Sequence, residues 1–97
     1  MISLPQHQDF TPHLHQLFRF EGRHQVLRLA EVEVSDRPNA LEAQRKPFTL
    51  IFHGPRGDVM PEGVYAAEAE NGTRFELYVI PIHTTAPERQ DYQAVFN

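Results

Sequence analysis

The sequence predicts a mainly β protein: a small antiparallel barrel or sandwich of about six strands with a short N-terminal helical segment. Three observations carry this. Apolar residues recur at every second position in several short runs, the period of a strand with one buried face. Turn-forming residues separate those runs, most clearly Asn71-Gly72 between "GVYAAEAE" and "TRFELYVIPI". In "QVLRLAEVEV" the apolar parity changes partway, which demands a bulge or bend, and strongly curved strands suit a small barrel or sandwich.

Residues 1–9 are mostly polar and read as a flexible arm, so that residues 10–97 form a single β domain. Thr11 can cap a helix and Pro12 fits its first position, which predicts one or two helical turns with Leu14 and Leu17 on one face. "LFRFEG" and "QVLRLAEVEV" then form a hairpin about Glu21-Gly22-Arg23-His24. Leu27 and Leu29 share one parity and Val32 and Val34 the other, which places the bend near Ala30 and Glu31. The polar stretch 35–47 reads as a surface loop, with Asn39 and Glu42 spaced as a capping box for a single turn. In "PFTLIFH", Phe48, Leu50 and Phe52 face one side; Ile51 on the other predicts a central strand covered on both faces. The Asn71-Gly72 hairpin returns through Phe75, Leu77 and Val79 until Pro81 ends the strand or sets it at an edge. "DYQAVFN" closes the chain with Tyr92, Ala94 and Phe96 in register.

At 97 residues there is room for one core. With 40% apolar and 23% charged residues the composition is that of an ordinary globular domain. There is no cysteine, which excludes disulfides, thiolate metal sites and cysteine nucleophiles. The same absence, with a start "MISLPQHQDF" that has neither a basic nor an apolar signal region, predicts a cytoplasmic protein. No apolar run approaches the ~18 residues of a membrane span. A net charge of −4 with scattered Lys and Arg argues against nucleic-acid binding.

"HGPRGD" (residues 53–58) invites functional readings. A phosphate loop needs a helix after its glycines, and here another strand pattern follows. Arg-Gly-Asp serves adhesion only when displayed outside the cell. Gly54, Pro55 and Gly57 are what a turn requires, and they are read as one, as are Asn71 and Gly72. Six histidines are present, and His13, His15, His53 and His83 are the candidate metal ligands. On a strand His13 and His15 would point the same way; on a helix their rings diverge by about 200°. No serine or threonine stands in a nucleophile elbow. Tyr65 and Tyr78 flank the Asn71-Gly72 hairpin and would contribute to an interface if they point outwards.

Two resemblances follow from these motifs. "HLHQLFRFEG" and "MPEGVYA" resemble the His-x-His…Glu and Pro-x-Gly motifs of cupins, with Ala66 standing where the second motif has its histidine. That resemblance implies a small metal-dependent enzyme or ligand-binding barrel. "PFTLIFHGP", "MPEGVYAAEAENGTRFELYVIPI" and "YQAVFN" together resemble a small uncharacterised bacterial all-β domain family that shares a Phe-x-Leu-x-Phe-x-Gly-Pro corner, a Pro-x-Gly-x-Tyr hairpin entry and a Tyr-x-Ala-Val-Phe-Asn end. It implies a structural or interaction role beside phage-tail-like proteins and no activity that maps to residues. The expected function is therefore a non-enzymatic protein-interaction or assembly module, with no cofactor. Its expected partner is a protein or a second copy, engaged through the strand carrying Pro81 and through "YQAVFN" as exposed edges.

Overall fold

The computed structural model describes residues 5–35 and 46–96. A helical turn, α1 (His7–Phe10), runs into a 3-10 turn (Thr11–His13). Six strands follow: β1 (Leu17–Phe20), β2 (Val26–Val34), β3 (Phe48–Pro55), β4 (Gly63–Ala69), β5 (Arg74–Ile82) and β6 (Arg89–Phe96). They pair antiparallel in the order β1-β2-β3-β6-β5-β4, and β1 also pairs β4, so the sheet closes into a barrel. The barrel is the alternative that holds, since a sandwich would leave the two sheets unjoined along one side.

Alternation decides what lies inside. Phe18, Phe20, Leu27, Leu29, Phe48, Leu50, Phe52, Ala67, Leu77, Val79, Tyr92 and Ala94 all point into the barrel and are buried. In β2 the register against β3 shifts between Leu29 and Glu31, leaving Ala30 as the extra residue of a bulge. Without that residue Val32 would face out; with it, Val32 pairs Leu50 and packs against the core. Ile51 lies on the outer face and is half-buried; no second layer covers β3, because a closed barrel has only one interior.

Both barrel ends are stoppered. Phe10 is wholly buried, with its ring 4.4 Å from Phe75, 5.5 Å from Phe96 and 5.8 Å from Phe48. At the opposite end the β3–β4 loop inserts Met60, also wholly buried. The helix begins at His7, earlier than Thr11-Pro12 suggests, so part of the expected arm is helical. The Asp9 carboxylate accepts the Gln6 N–H at 2.8 Å and the Asp9 N–H donates to the Gln6 carbonyl at 2.9 Å. Thr11 does not cap: its hydroxyl donates back to the His7 carbonyl at 2.9 Å. Leu14 packs on the core while Leu17 is on the outer face of β1, so the two share no helical face.

Closure pairs the expected edges in part. β6 pairs β3 from Phe48↔Phe96 to Pro55↔Arg89, and its other flank meets β5 at Ile80↔Gln93, Pro81↔Tyr92 and Ile82↔Asp91. Pro81 thus sits within a ladder and β5 continues to Ile82. The Asn39–Glu42 capping box lies outside the described residues. No helix among the described residues is long and apolar enough to cross a membrane.

Candidate interaction surface

The barrel buries one parity of each strand and presents the other, so the outer face is written by the residues between the core positions. On most strands these are polar. On β4, β5 and β6 they include Val64, Tyr78 and Val95 beside Glu68, Arg74, Glu76 and Asp91. Val64 pairs Tyr78 directly, and Val95 stands on β6 two residues beyond Gln93, where the β5–β6 ladder ends at Ile80↔Gln93. These side chains are 63%, 48% and 47% exposed. The next outward row holds Ile80, Gln93 and Ile51, paired in that order and half-buried. An apolar band therefore crosses the outside of the barrel with nothing over it among the described residues. Glu62 anchors one margin: the Tyr78 hydroxyl donates to its carboxylate, which raises the phenol above its ordinary pKa and holds the ring in place. Tyr65, the other candidate, turns inward, its ring 6.0 Å from Phe20 and its hydroxyl donating to the Pro61 carbonyl at 2.6 Å.

The candidate metal ligands are dispersed. His13 is buried edge-on against Phe18 and Phe75, and its Nδ1 lies 3.0 Å from Gln16 Oε1. His15 is exposed at φ 72°, a conformation set by its backbone: its N–H donates to the Leu29 carbonyl at 2.7 Å and its carbonyl accepts Arg28 Nη1 at 2.7 Å. His53 lies beside Asp91 at 3.7 Å on the outer face, and Asp91 itself is held by Arg89 at 2.7 Å. His83 is exposed in the loop after β5. Among the described residues no three His, Asp or Glu side chains converge as a metal ion would require.

The turn residues divide. Gly54 and Pro55 belong to β3, paired with Gln90 and Arg89, and the turn comes at Arg56-Gly57, where Gly57 has φ 89°. Gly54 is there for closeness: a Cβ on it would stand 2.4 Å from Leu27 Cδ2. In the β4–β5 hairpin only Gly72 is left-handed, at φ 90°. The Ala69 N–H donates to the Thr73 carbonyl and the Asn71 side chain accepts the Thr73 N–H, which makes a three-residue loop ending in glycine rather than a two-residue one. The Asp of Arg-Gly-Asp is spent inside the molecule. Asp58 takes His24 Nε2, and its Oδ1 and carbonyl both accept Gln25 Nε2 at 3.2 and 3.3 Å, tying the β3–β4 loop to the β1–β2 loop. Gln25 is buried and its Oε1 has no partner, since the amide must turn its N–H groups to the two acceptors of Asp58.

A family model described as a domain of unknown function (DUF6916) matches residues 5–96. The chain belongs to that family. The match takes in every strand and α1, so the barrel and its N-terminal stopper are the family's unit in this chain. No curated protein matches the chain, and no solved structure does. Val64 and Val95 escaped sequence reasoning because each is one apolar letter at an outward parity. Their adjacency depends on strand order, the only signal being that Tyr78 already stood out of phase with Leu77 and Val79.

Proposed function

We propose that this domain is a non-enzymatic protein-interaction or assembly module, and that it meets its protein partner through the Val64–Tyr78–Val95 band. The observation that supports this is the band itself: three large, well-exposed side chains on neighbouring strands, extended by Ile80 and Ile51. Scattered apolar residues on a surface need no explanation, but contiguous ones mark contact sites. Tyrosine at the centre suits such a site, because it brings a large rigid ring with little side-chain entropy to lose. The partner engages outward side chains, β5 being paired to β4 along Arg74–Val79 and to β6 along Ile80–Ile82. The resemblance carried by the Gly-Pro corner and the "YQAVFN" end extends the reading to bacterial assemblies of phage-tail-like or phage-derived origin. The lack of cysteine accords with a cytoplasmic setting.

The test replaces Val64 and Val95 by lysine, singly and together, and measures assembly by native mass spectrometry of complexes isolated from the native cells. Both positions face outwards, so thermal stability is expected to change little. Each substitution is expected to weaken association about tenfold or more by setting a charge in the contact. Complexes that survive the double substitution at unchanged abundance would contradict the proposal.

A further inference from the structure

The Arg56-Gly57 turn and the loop after β5 flank a separate open depression of ≈ 350 Å³, lined among others by Arg56, Gly57, Val59, Ile82, His83 and Thr84. That is the size of a small-ligand pocket. Among its polar groups Arg56 is the strong donor. Arg56 spends one guanidinium N–H on the Ala86 carbonyl, at 3.3 Å, and keeps the rest of its donor fork. Thr84 Oγ1 accepts the Ala86 N–H at 3.3 Å, which leaves its hydroxyl proton to give. His83 is exposed and makes no hydrogen bond or ion pair among the described residues. Gly57 has no atom within 4 Å of where a Cβ would stand, so its backbone is open to close approach. Gln90 also lines the pocket, with its Nε2 already bonded to the Ile82 and Asp91 carbonyls at 2.8 and 3.0 Å. No Asp or Glu lines the pocket, and neighbouring Asp58 is engaged by His24 and Gln25.

We propose that this pocket binds a carboxylate carried next to a branched apolar group. Arg56 and the Thr84 hydroxyl hold the carboxylate, and Val59 and Ile82 receive the apolar group. The guanidinium fork matches the two carboxylate oxygens. The apolar walls favour a singly charged group over a phosphate dianion, whose desolvation beside Val59 and Ile82 costs more. A peptide ending in a branched apolar residue and a free small acid both present this chemistry. The site is independent of the Val64–Tyr78–Val95 band.

The experiment is a ¹H–¹⁵N NMR titration of the full chain. The probes are N-acetyl-leucine, its uncharged amide, acetate, and a tetrapeptide ending in leucine with a free or an amidated C-terminus. N-acetyl-leucine is expected to shift the Gly57, His83 and Thr84 amides saturably, acetate to bind more weakly, and the two amides not to bind. The free-acid tetrapeptide binding more tightly than N-acetyl-leucine supports the site with a peptide end as its source; equal affinity supports it with a small acid. Arg56→Gln is expected to lower affinity about tenfold, with Arg56→Lys between. Arg56 is exposed, so the fold of these variants is not at stake, and Thr84→Val gives a second loss through the hydroxyl. Shifts that never saturate, amides that bind as well as acids, acetate equal to N-acetyl-leucine, or Arg56→Gln without effect would each overturn the assignment.

Discussion

Tyr92 is wholly buried, and its hydroxyl accepts the Met60 N–H at 2.9 Å, fixing the loop residue that stoppers one barrel end. Burial raises its phenol pKa; the Met60 N–H pulls the other way, and Asp58 and Tyr65 add to the rise. In the unfolded chain the phenol titrates near 10. Its contribution to stability is therefore complete below about pH 10 and is lost as pH climbs from there through the higher folded value. Thermal melts across that range are expected to show stability falling above about pH 10, less steeply in Tyr92→Phe. At neutral pH the same substitution strips the buried Met60 N–H of its acceptor and is expected to cost about 1–3 kcal/mol in urea unfolding. Little of this scale was legible in the sequence. Tyr92 reads as a core position from its parity, but its bond to Met60 joins letters far apart in the chain. Gly54 reads as a turn residue from its neighbours, whereas its role is to let Leu27 and Tyr92 approach the β3 backbone. Close approach of distant side chains leaves no local mark.

At the scale of elements, period-two runs marked every strand, and the parity change in "QVLRLAEVEV" located the Ala30 bulge, because a buried face cannot switch sides without an extra residue. Closure was the part that local pattern does not carry. Whether β1 and β4 meet is a matter of accumulated twist and strand order, and it joins the two ends of the sheet. The helix start was misplaced for a related reason. Thr11 and Pro12 are good starting residues in isolation, but Phe10 must enter the barrel, and the turn that delivers it begins at His7. Phe10→Ala is expected to cost about 3–5 kcal/mol, measured by denaturant unfolding, because the cavity left among Phe48, Phe75 and Phe96 belongs to a ring cluster that cannot close over it. An effect under about 1 kcal/mol would mean that the N-terminal turn is an ornament on a barrel already closed without it.

Taken as a whole, the molecule is a small barrel stoppered at both ends whose interior is filled by its own side chains. The outer surface is unevenly written. His53, Asp91 and Arg89 form a local ion cluster on β3 and β6, and the Asp58 clip holds two loops together. Within the Val64–Tyr78–Val95 band the Tyr78 hydroxyl is engaged by Glu62, while the apolar side chains stay exposed. The sequence raises an interaction role as an expectation, through edge strands and through Tyr78. It did not announce where the band runs, since that needs the β4–β5–β6 order. The most direct measurement is photo-cross-linking in the native cells, with Tyr78 replaced by p-benzoylphenylalanine and Val26, exposed on β2, replaced likewise as the control. The account predicts a discrete protein adduct from position 78, identified by mass spectrometry, and none from position 26. No adduct from position 78, or the same adducts from both positions, would contradict it.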